Sequence, residues 1–413
     1  MIHRPPGLLA FNQDHWSQFA GSGVWLPHLL VYLVVSRVAF TRPSTSGPTI
    51  SFLRAQVFDA AWKHMDGYVI SWEGRKIQFP TILDIPALWR EGGSYFGPED
   101  PRTILDPAAD TEPIIVFNMI MNETGNPRVM WIHRPFSGVT VPLTIQGEQR
   151  EKAEKNWAPF FHESTGDGGT SKIAHVYLHF VYSLSPLRVL KCRIEDGICD
   201  WVYKQHISGD LDVPHMDPHG EMHGGTNFVP VPFSRTSEVQ VYAGFPRTRL
   251  TFCKTGATYR PELVLLTGSG EHFHVAFASG PLGFEHSLLS QQQIDHTCED
   301  GRLLIPSGLM AWDYPQQEDV TTLFFSVSDA ETRVLHLHGL LDFIRGLPYF
   351  RLFDGSVPIE TFTRNFPWSV VGNEVLHCSL DAAANSNRMD LIKSEGKAKT
   401  MVANEHGISQ LQP

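Results

Sequence analysis

Short runs of β-branched and aromatic residues recur along most of the chain, and clusters of Gly, Pro, Asp and Asn separate them. Such runs are typical of β-strands. A helical period is found only in the charged segment Gln146–Lys155, which predicts one surface helix. Strands are predicted over Val31–Phe40, Ile50–Val57, Ile114–Met121, Val129–Phe136, Val176–Leu184, Leu263–Thr267, His272–Ser279, Leu323–Ser328 and Val334–Leu340.

Many short strands separated by regular turns indicate a sandwich, a barrel or a propeller. Polar pairs recur at the head of successive strand groups, and their spacing favours five propeller blades of about 60 residues each. The innermost strands of a propeller converge on a central channel, so these pairs would meet at one site. The five pairs are Ser36-Arg37, Glu99-Asp100, Asn156-Trp157, Gly225-Thr226 and Ser307-Gly308.

The composition is that of a globular protein with a large core. The chain has 413 residues, of which 42% are hydrophobic and 19% charged. Its formal net charge of −11, without a long basic stripe, argues against nucleic acid as a partner. The tail from Asp381 is polar and predicts an exposed helix or frayed chain.

Five cysteines form no Cys-x-x-Cys pair and therefore no metal signature. Cys192 and Cys199 are close enough for a hairpin disulfide in an oxidising lumen, and a reduced, buried pair is an equal alternative. The sequon Asn122-Glu123-Thr124 fits secretory passage, although sequons are common by chance.

The beginning of the chain does not have the pattern of a signal peptide. The apolar run from Leu29 to Val35 is seven residues long, whereas a membrane span needs about 20. This run predicts a buried strand.

Glu99-Asp100-Pro101-Arg102 carries the strongest chemical signal. Proline biases the residue before it toward extended backbone, so Asp100 is expected in a stiff pose with Arg102 on the same side. A carboxylate can take the proton of a sugar hydroxyl, and a guanidinium can bind phosphate. A solvated turn is the alternative interpretation of these four residues.

Six further motifs follow in order along the chain. They are Asn118, Arg128–Phe136, Lys155–Phe161, Gly224–Pro230, Phe245–Thr248 and Tyr259–Leu263. With them, the chain from Trp25 to Leu340 resembles the fungal β-mannosyltransferases, glycosyltransferase family 91. The Glu-Asp-Pro-Arg motif also resembles that of the β-mannoside phosphorylases, which are five-bladed β-propellers.

The second resemblance implies an all-β fold, a five-bladed β-propeller with a polar C-terminal extension. The predicted division is an N-terminal segment at 1–23, a catalytic propeller at 24–345 and the extension at 346–413. Members of the first family usually carry an N-terminal membrane anchor and lie in the Golgi lumen. No anchor is present in this chain, and we expect a longer reading frame upstream.

The first resemblance implies transfer of mannose from GDP-mannose to mannan or another mannose-containing cell-wall glycan, with a β-1,2 linkage. A β-product from an α-linked donor requires inversion by single displacement. Asp100 would be the base, Glu99 would hydrogen-bond mannose hydroxyls, and Arg102 would neutralise the leaving phosphate. GDP-mannose is then a substrate, and no cofactor or metal is expected.

Further residues are expected at the same site. Arg247 and Arg249 share a strand face and form a candidate second phosphate clamp, with a solvated face as the alternative. Core packing is the alternative for Trp157, and an ordinary tight turn for the glycines. The candidate sugar-binding residues are Asn156, Trp157, Gly225, Thr226, Asn227 and Ser307.

Two patterns imitate metal sites. Asp210-Leu211-Asp212 has the Asp-x-Asp form of metal-dependent transferases, but no preceding strand of an α/β domain supports it. His215, His219 and His223 have helical spacing, which the prolines and glycines between them contradict. We expect neither pattern to bind a metal.

Two other functions remain open. A β-mannoside phosphorylase or hydrolase would use Asp100 as an acid. A non-catalytic scaffold would be favoured if Asp100 and Arg102 faced solvent on an outer strand.

Overall fold

The computed structural model describes residues 15–43, 45, 47–107, 111–163, 175–205, 222–232, 239–253, 256–288, 303–312, 319–347 and 350. Strands dominate these residues, which confirms the expected all-β class. We divide the strands in chain order into five groups, in which strands pair antiparallel except for one parallel pair in the third group. The first and fifth groups are joined by a parallel contact into one seven-stranded sheet.

The first group contains β1 (Trp16–Leu26), β2 (Val31–Phe40), β3 (Ile50–Phe58), the hairpin β4 (Tyr68–Trp72) and β5 (Arg75–Phe79), and β6 (Thr81–Ile82). Strand β1 begins within the segment 1–23, before the predicted start of the catalytic domain. Glu73 and Gly74 join β4 to β5 with φ of 44° and 83°. Two positive φ values are what a tight type I′ hairpin turn requires.

The second group contains β7 (Glu99–Ile104), β8 (Ile114–Ile120), β9 (Arg128–Arg134) and β10 (Val139–Pro142). The third contains β11 (Thr144–Ile145), β12 (Ala158–Phe160), β13 (Tyr177–Leu184), β14 (Leu187–Arg193) and β15 (Ile198–Lys204). A disulfide joins Cys192 to Cys199 between β14 and β15, so the hairpin disulfide is the correct alternative.

The fourth group contains β16 (Met222–His223), β17 (Val229–Pro230), β18 (Gln240–Gly244), β19 (Arg247–Cys253), β20 (Gly256–Ser269) and β21 (His272–Pro281). The fifth contains β22 (Leu304–Leu309), β23 (Val320–Val327) and β24 (Glu331–His338). Two short helices are α1 (Glu285–Leu288) and α2 (Leu340–Gly346). None of the helices among the described residues is long and apolar enough to cross a membrane.

The hydrophobic core is divided into clusters that lie between neighbouring groups. Leu33 packs with Phe117 between the first two groups, and Val116 packs with Leu190 between the second and third. Other clusters connect the third group to the fourth and the fourth to the fifth. Val34 of the first group packs with Phe324 of the fifth, so the order of packing is cyclic.

The surface helix predicted over Gln146–Lys155 is wrong. This segment runs beside β9, where the amide of Arg128 donates to the carbonyl of Lys152 and that of Glu154 donates to the carbonyl of Arg128. Glu154 is buried and accepts a hydrogen bond from the indole of Trp157. Backbone pairing and a buried carboxylate override the local helical pattern.

Candidate active site

Three strands, β1, β7 and β22, lie against one another at the centre of the described structure. Each is the first strand of its group, and each contains a β-bulge. The register of pairing shifts between Phe19 and Ser22 in β1, between Glu99 and Arg102 in β7, and between Pro306 and Gly308 in β22. Bulges turn side chains away from the regular alternation, and they are common beside active sites.

Small polar residues join the three strands in what we call the central layer: Ser22, Thr103, Ser307 and Gly308. The amide of Thr103 donates to Oγ of Ser22 over 2.6 Å. A Cβ added to Gly308 would lie 2.9 Å from Cα of Ser22, so only glycine permits this approach. The layer packs the three strands tightly against one another.

Asp100 lies in the bulge of β7 with φ of +54°. The extended pose expected from the following proline is therefore wrong, because the bulge forces left-handed backbone. Ala20, Asn156 and Asp329 also have positive φ. Such backbone costs about 1–3 kcal/mol per residue, and strained residues are enriched at functional sites.

Glu99 is an anchor for two arginines. Its Oε1 accepts from Nη2 of Arg37 over 2.9 Å, and its Oε2 accepts from Nη1 of Arg128. The Glu99 side chain is 10% exposed. Both carboxylate oxygens are thus already engaged, which differs from the predicted role of binding mannose hydroxyls.

Asp100 faces a strongly positive environment. Burial would raise the pKa of its carboxyl, but the charges of Arg37, Arg102, Arg247 and Arg128 outweigh burial and hold that pKa below its ordinary value. Nη1 of Arg37 lies 3.8 Å from Oδ1, and the Asp100 side chain is 39% exposed. Asp100 is therefore an ionised carboxylate that a ligand can reach.

Arg102 and Arg247 are buried and share one backbone acceptor. Arg102 donates from Nε to the carbonyl of Gly225 over 2.5 Å and from Nη2 to that of Gly224 over 3.4 Å. Nη1 of Arg247 donates to the same Gly224 carbonyl over 2.8 Å, and its Nη2 donates to Oδ1 of Asn156 over 3.2 Å. Burial lowers the pKa of Arg102 to about 10, so it remains a cation at neutral pH.

A small cavity brings much of the predicted site together. Asp100, Arg102, Arg247 and Ser307 all line it, and Asn156 adjoins it through Arg247. The hydroxyl of Ser307 donates to the carbonyl of Gly21 over 2.6 Å. The structure therefore brings these four lining residues, which come from distant parts of the sequence, to one cavity.

Asp329 also lines this cavity, and the sequence analysis missed it. It lies in the turn between β23 and β24, and its Oδ1 accepts from the hydroxyl of Ser326 over 3.3 Å. Desolvation in the cleft and the charge of Asp100 raise the pKa of Asp329. The two carboxyls therefore have pKa values shifted in opposite directions, a common feature of acid–base sites.

Trp157 does not face the cavity. It is 2% exposed and packs against Phe180 and Tyr182, so the predicted role in sugar stacking is wrong and core packing is the correct alternative. Thr226 is buried, and its hydroxyl donates to the carbonyl of Asn227 and accepts from the amide of Phe245. Its role is to hold the turn, not to contact sugar.

Three other predicted positions also differ from expectation. The side-chain amide of Asn227 donates from Nδ2 to the carbonyl of Leu309 and accepts at Oδ1 from the N–H of Leu309. It therefore connects the fourth strand group to the fifth. Gly225 approaches the chain's own backbone at Phe245 and presents its carbonyl to Arg102. Arg249 is exposed, whereas Arg247 is buried, so the two arginines do not form a clamp.

Asp210, Asp212, His215 and His219 lie outside the described residues. His223 is described, in β16. Within the described part of the chain, no group of three or more His, Cys, Asp or Glu side chains is arranged to hold a metal ion. The expectation of a metal-free site stays a prediction.

Arg37 was expected near the site as part of the pair Ser36-Arg37, but the sequence analysis gave it no role there. A signal was present, because Arg37 is the only charge within the apolar run of β2, where it is 6% exposed. A buried charge requires a partner, and its partners are Glu99 and Asp100. No comparable signal marked Asp329 in its turn.

The comparisons with known proteins agree with the first resemblance. The family model described as "Beta-mannosyltransferases" matches residues 9–129 and 134–398. Beta-mannosyltransferase 1 of Komagataella phaffii is 33% identical over 366 residues, which cover 84% of this chain and 54% of that protein. Beta-mannosyltransferase 3 of Candida albicans is 32% identical over 366 residues, 83% of this chain and 62% of that protein. The chain thus spans between half and two thirds of the length of these relatives.

Solved structures match this chain at lower sequence identity than these relatives. One solved structure comes from work on the GH130 family of mannoside phosphorylases, which contains hydrolases that target β-1,2 mannosidic linkages in Candida mannan. It has 11% identity and a TM-score of 0.47 over 79% of this chain and 85% of that chain. A GDP-Man-dependent mannosyltransferase from Leishmania mexicana has 10% identity and a TM-score of 0.40 over 79% and 86%. Both TM-scores lie below 0.5.

The ion pairs of Glu99 yield a prediction. Glu99→Gln leaves two partly buried guanidinium groups without their counter-charge, and we expect the free energy of unfolding to fall by about 3 kcal/mol. Glu331→Gln is the matched control, because Glu331 pairs with Arg333 over 2.6 Å with a 36% exposed side chain. Exposed pairs contribute about 0–1 kcal/mol. Equal effects of the two substitutions in denaturant unfolding would show that Glu99 is not an anchor.

Proposed function

Because this chain belongs to the β-mannosyltransferase family, we propose that it transfers mannose from GDP-mannose, with inversion, to a mannose-containing cell-wall glycan. The observation that carries the proposal is the ionised carboxylate of Asp100 beside the buried cations Arg102 and Arg247 in one cavity. The proposed linkage is β-1,2.

The proposal includes a five-bladed β-propeller, each strand group being one blade. Its support is the cyclic packing of the hydrophobic clusters, in which the fifth group packs on the first. First strands from several groups face the same centre. In this arrangement Asp100 lies at one mouth of the central channel, above the central layer.

Asp100 acts in this mechanism as the base. It takes the proton of the acceptor hydroxyl, directly or through a hydroxyl of the sugar, while that oxygen forms a bond to the anomeric carbon and the bond to the diphosphate breaks. A base must be unprotonated at working pH, and the lowered pKa of Asp100 meets this condition. The left-handed bulge directs the carboxylate into the cavity.

Arg102 and Arg247 stabilise the leaving diphosphate. Nε of Arg247 is buried and has no hydrogen-bond partner among the described residues, so its N–H remains to donate to a phosphate oxygen. Positive charge that is fixed before reaction needs no reorganisation as the leaving group becomes more negative. The proposed reaction therefore requires no metal ion.

Asp329 binds hydroxyl groups of the transferred mannose. A carboxyl with a raised pKa beside an ionised one accepts and donates hydrogen bonds over a wider pH range. Asn156 positions Arg247 by accepting a hydrogen bond from Nη2.

The pKa of Asp100 also favours transfer over the phosphorylase or hydrolase alternative. Those reactions would need Asp100 protonated as an acid, and a lowered pKa opposes this state. The scaffold alternative required Asp100 and Arg102 on an outer strand in solvent, whereas both line the central cavity.

The proposed location is the Golgi lumen. A disulfide between Cys192 and Cys199 supports an oxidising compartment.

Asp100→Asn tests the base. We expect the rate of β-mannosyl transfer from GDP-mannose to an α-mannose oligosaccharide to fall about a hundredfold or more, because general base catalysis contributes about 10²–10⁴-fold. Asp196→Asn, in the turn between β14 and β15, is the control and should retain full activity. β-Mannoside cleavage in phosphate by a folded wild type that transfers nothing would instead establish the phosphorylase.

Arg247→Gln tests the phosphate contact. We expect KM for GDP-mannose to rise at least tenfold, since a hydrogen bond between charged groups contributes about 1.5–3 kcal/mol. Arg249→Gln is the matched control two residues along the same strand, where the side chain is exposed. Equal KM values for the two variants would remove Arg247 from the donor site.

The pH profile tests the protonation state of Asp100. The ionised form is active and its pKa lies below the ordinary 3.8, so we expect kcat/KM to stay level from neutral pH down to about pH 5 and to fall only on further acidification. Circular dichroism at each pH checks that the protein remains folded. A loss of activity centred at pH 6, or activity that increases on acidification, would contradict an Asp100 base.

A further inference from the structure

A second cavity of about 740 Å³ lies on the other side of the central layer. Residues from each of the five strand groups line it, so it is central like the first cavity. Its volume is in the range of small-molecule and oligosaccharide pockets. Most of its lining residues are apolar, and the aromatic and polar residues among them include Trp25, Tyr32, Trp62, Asp106, Thr322 and His336.

The two cavities are separate. Along β7, Asp100 and Arg102 line the first cavity and Ile104 lines the second; along β22, Ser307 lines the first and Leu309 the second. Two residues of strand, the smallest of these separations, correspond to about 7 Å. The hydrogen-bonded residues of the central layer, Ser22 and Thr103 among them, lie between. A ligand in the second cavity therefore does not touch Asp100.

Three aromatic rings form one side of the second cavity. Tyr32 and Trp62 stack with ring centroids 4.4 Å apart and an interplanar angle of 16°, and Trp25 lies 4.6 Å from Tyr32 at a tilt of 56°. All three side chains are partly exposed. Flat aromatic faces beside polar groups suit a hexose, because the sugar has an apolar C–H face and a rim of hydroxyl groups.

The indole of Trp25 has an unmet hydrogen bond. Its Nε1 is buried, and no described residue accepts from it. Buried indole N–H groups usually have an acceptor. Asp106 and Thr322 also line the cavity, but the Asp106 carboxylate is hydrogen-bonded to the backbone N–H and Nδ1 of His175, and the Thr322 hydroxyl is hydrogen-bonded to His336. A sugar hydroxyl that entered beside the Trp25 indole would supply the acceptor that this indole lacks.

We infer that the second cavity is a non-catalytic binding site for mannose-containing oligosaccharide. The inference rests on the proposed function in its choice of sugar, because a mannan acceptor is the glycan that this protein would meet. Since the central layer separates the cavities, the sugar bound here is a distant part of a long acceptor. Binding at two sites raises the effective concentration of the acceptor end at Asp100.

The binding test uses no donor, so it does not depend on transfer. Mannan-derived oligosaccharides are titrated into protein labelled with ¹⁵N-tryptophan, and Trp25→Phe assigns the Trp25 indole signal. We expect this signal to shift on binding. Trp62→Ala should lower the affinity for oligosaccharide, as derived from the shift of this signal, about tenfold. Trp89→Ala is the control and should leave the affinity unchanged, because Trp89 is 49% exposed and lies outside both cavities.

The kinetic test separates the two sites. With Trp62→Ala we expect KM for polymeric mannan to rise about tenfold and KM for a mannose disaccharide to stay unchanged, because the disaccharide reaches only the Asp100 cavity. Trp25→Phe, which keeps an aromatic ring and removes the N–H, provides a milder variant should Trp62→Ala fail to fold.

The outcomes are distinct from those of the transfer assay. A Trp25 signal that does not move at saturating oligosaccharide would overturn the inference and leave the proposed transfer intact. Oligosaccharide binding without any transfer would support the cavity and contradict the proposed function. Equal rises in KM for polymer and disaccharide would also overturn the inference about the second cavity, since they would place the effect at the Asp100 site.

Discussion

Both backbone polar groups of Gly21 are bound to the far end of the described chain, and this contact holds the two ends together. Its N–H donates to Oγ1 of Thr332 over 3.0 Å, and its carbonyl accepts from the hydroxyl of Ser307 over 2.6 Å. A Cβ at this position would lie 2.6 Å from Cγ2 of Thr332, so glycine is required. Beside it, Gln18 of β1 pairs with Glu331 of β24 in parallel. Asp329 and Ser307 come to the cavity of Asp100 only because of this closure.

Several features of the site lower the stability of the folded protein. Left-handed backbone at Asp100 and Asp329, and several cations around one cavity, each oppose folding. Glu99 offsets part of the repulsion by pairing with Arg37 and Arg128. The formal net charge of the whole chain is −11, whereas four arginines act on Asp100. The local field at Asp100 therefore differs in sign from that of the whole protein. Local positive charge is what an anionic donor requires.

The sequence predicted those features that depend on chemistry within short segments. Strand runs were recognised by their β-branched and aromatic residues, and the recurring polar pairs placed Asp100 and Ser307 at one centre. Side-chain direction was less predictable. Trp157 follows a polar Asn156 that adjoins the site, yet it points into the core, and the bulge at Asp100 reversed the backbone expected before a proline. Whether a residue faces core or cavity depends on bulges and on packing between groups, which local patterns do not encode.

The central layer restricts how the substrates of the proposed reaction can reach Asp100. In the proposed propeller, the contacts of Ser22 and Gly308 would close the channel at their depth and make the Asp100 cavity a pocket with one mouth. Donor and acceptor would then have to enter from the same side, and a glycan would enter by an end. A chain end entering such a pocket is held by few sugar units, so its binding there is weak. Further sugar contacts must lie outside the pocket, and the aromatic cavity behind the layer is suited to provide them for a long acceptor.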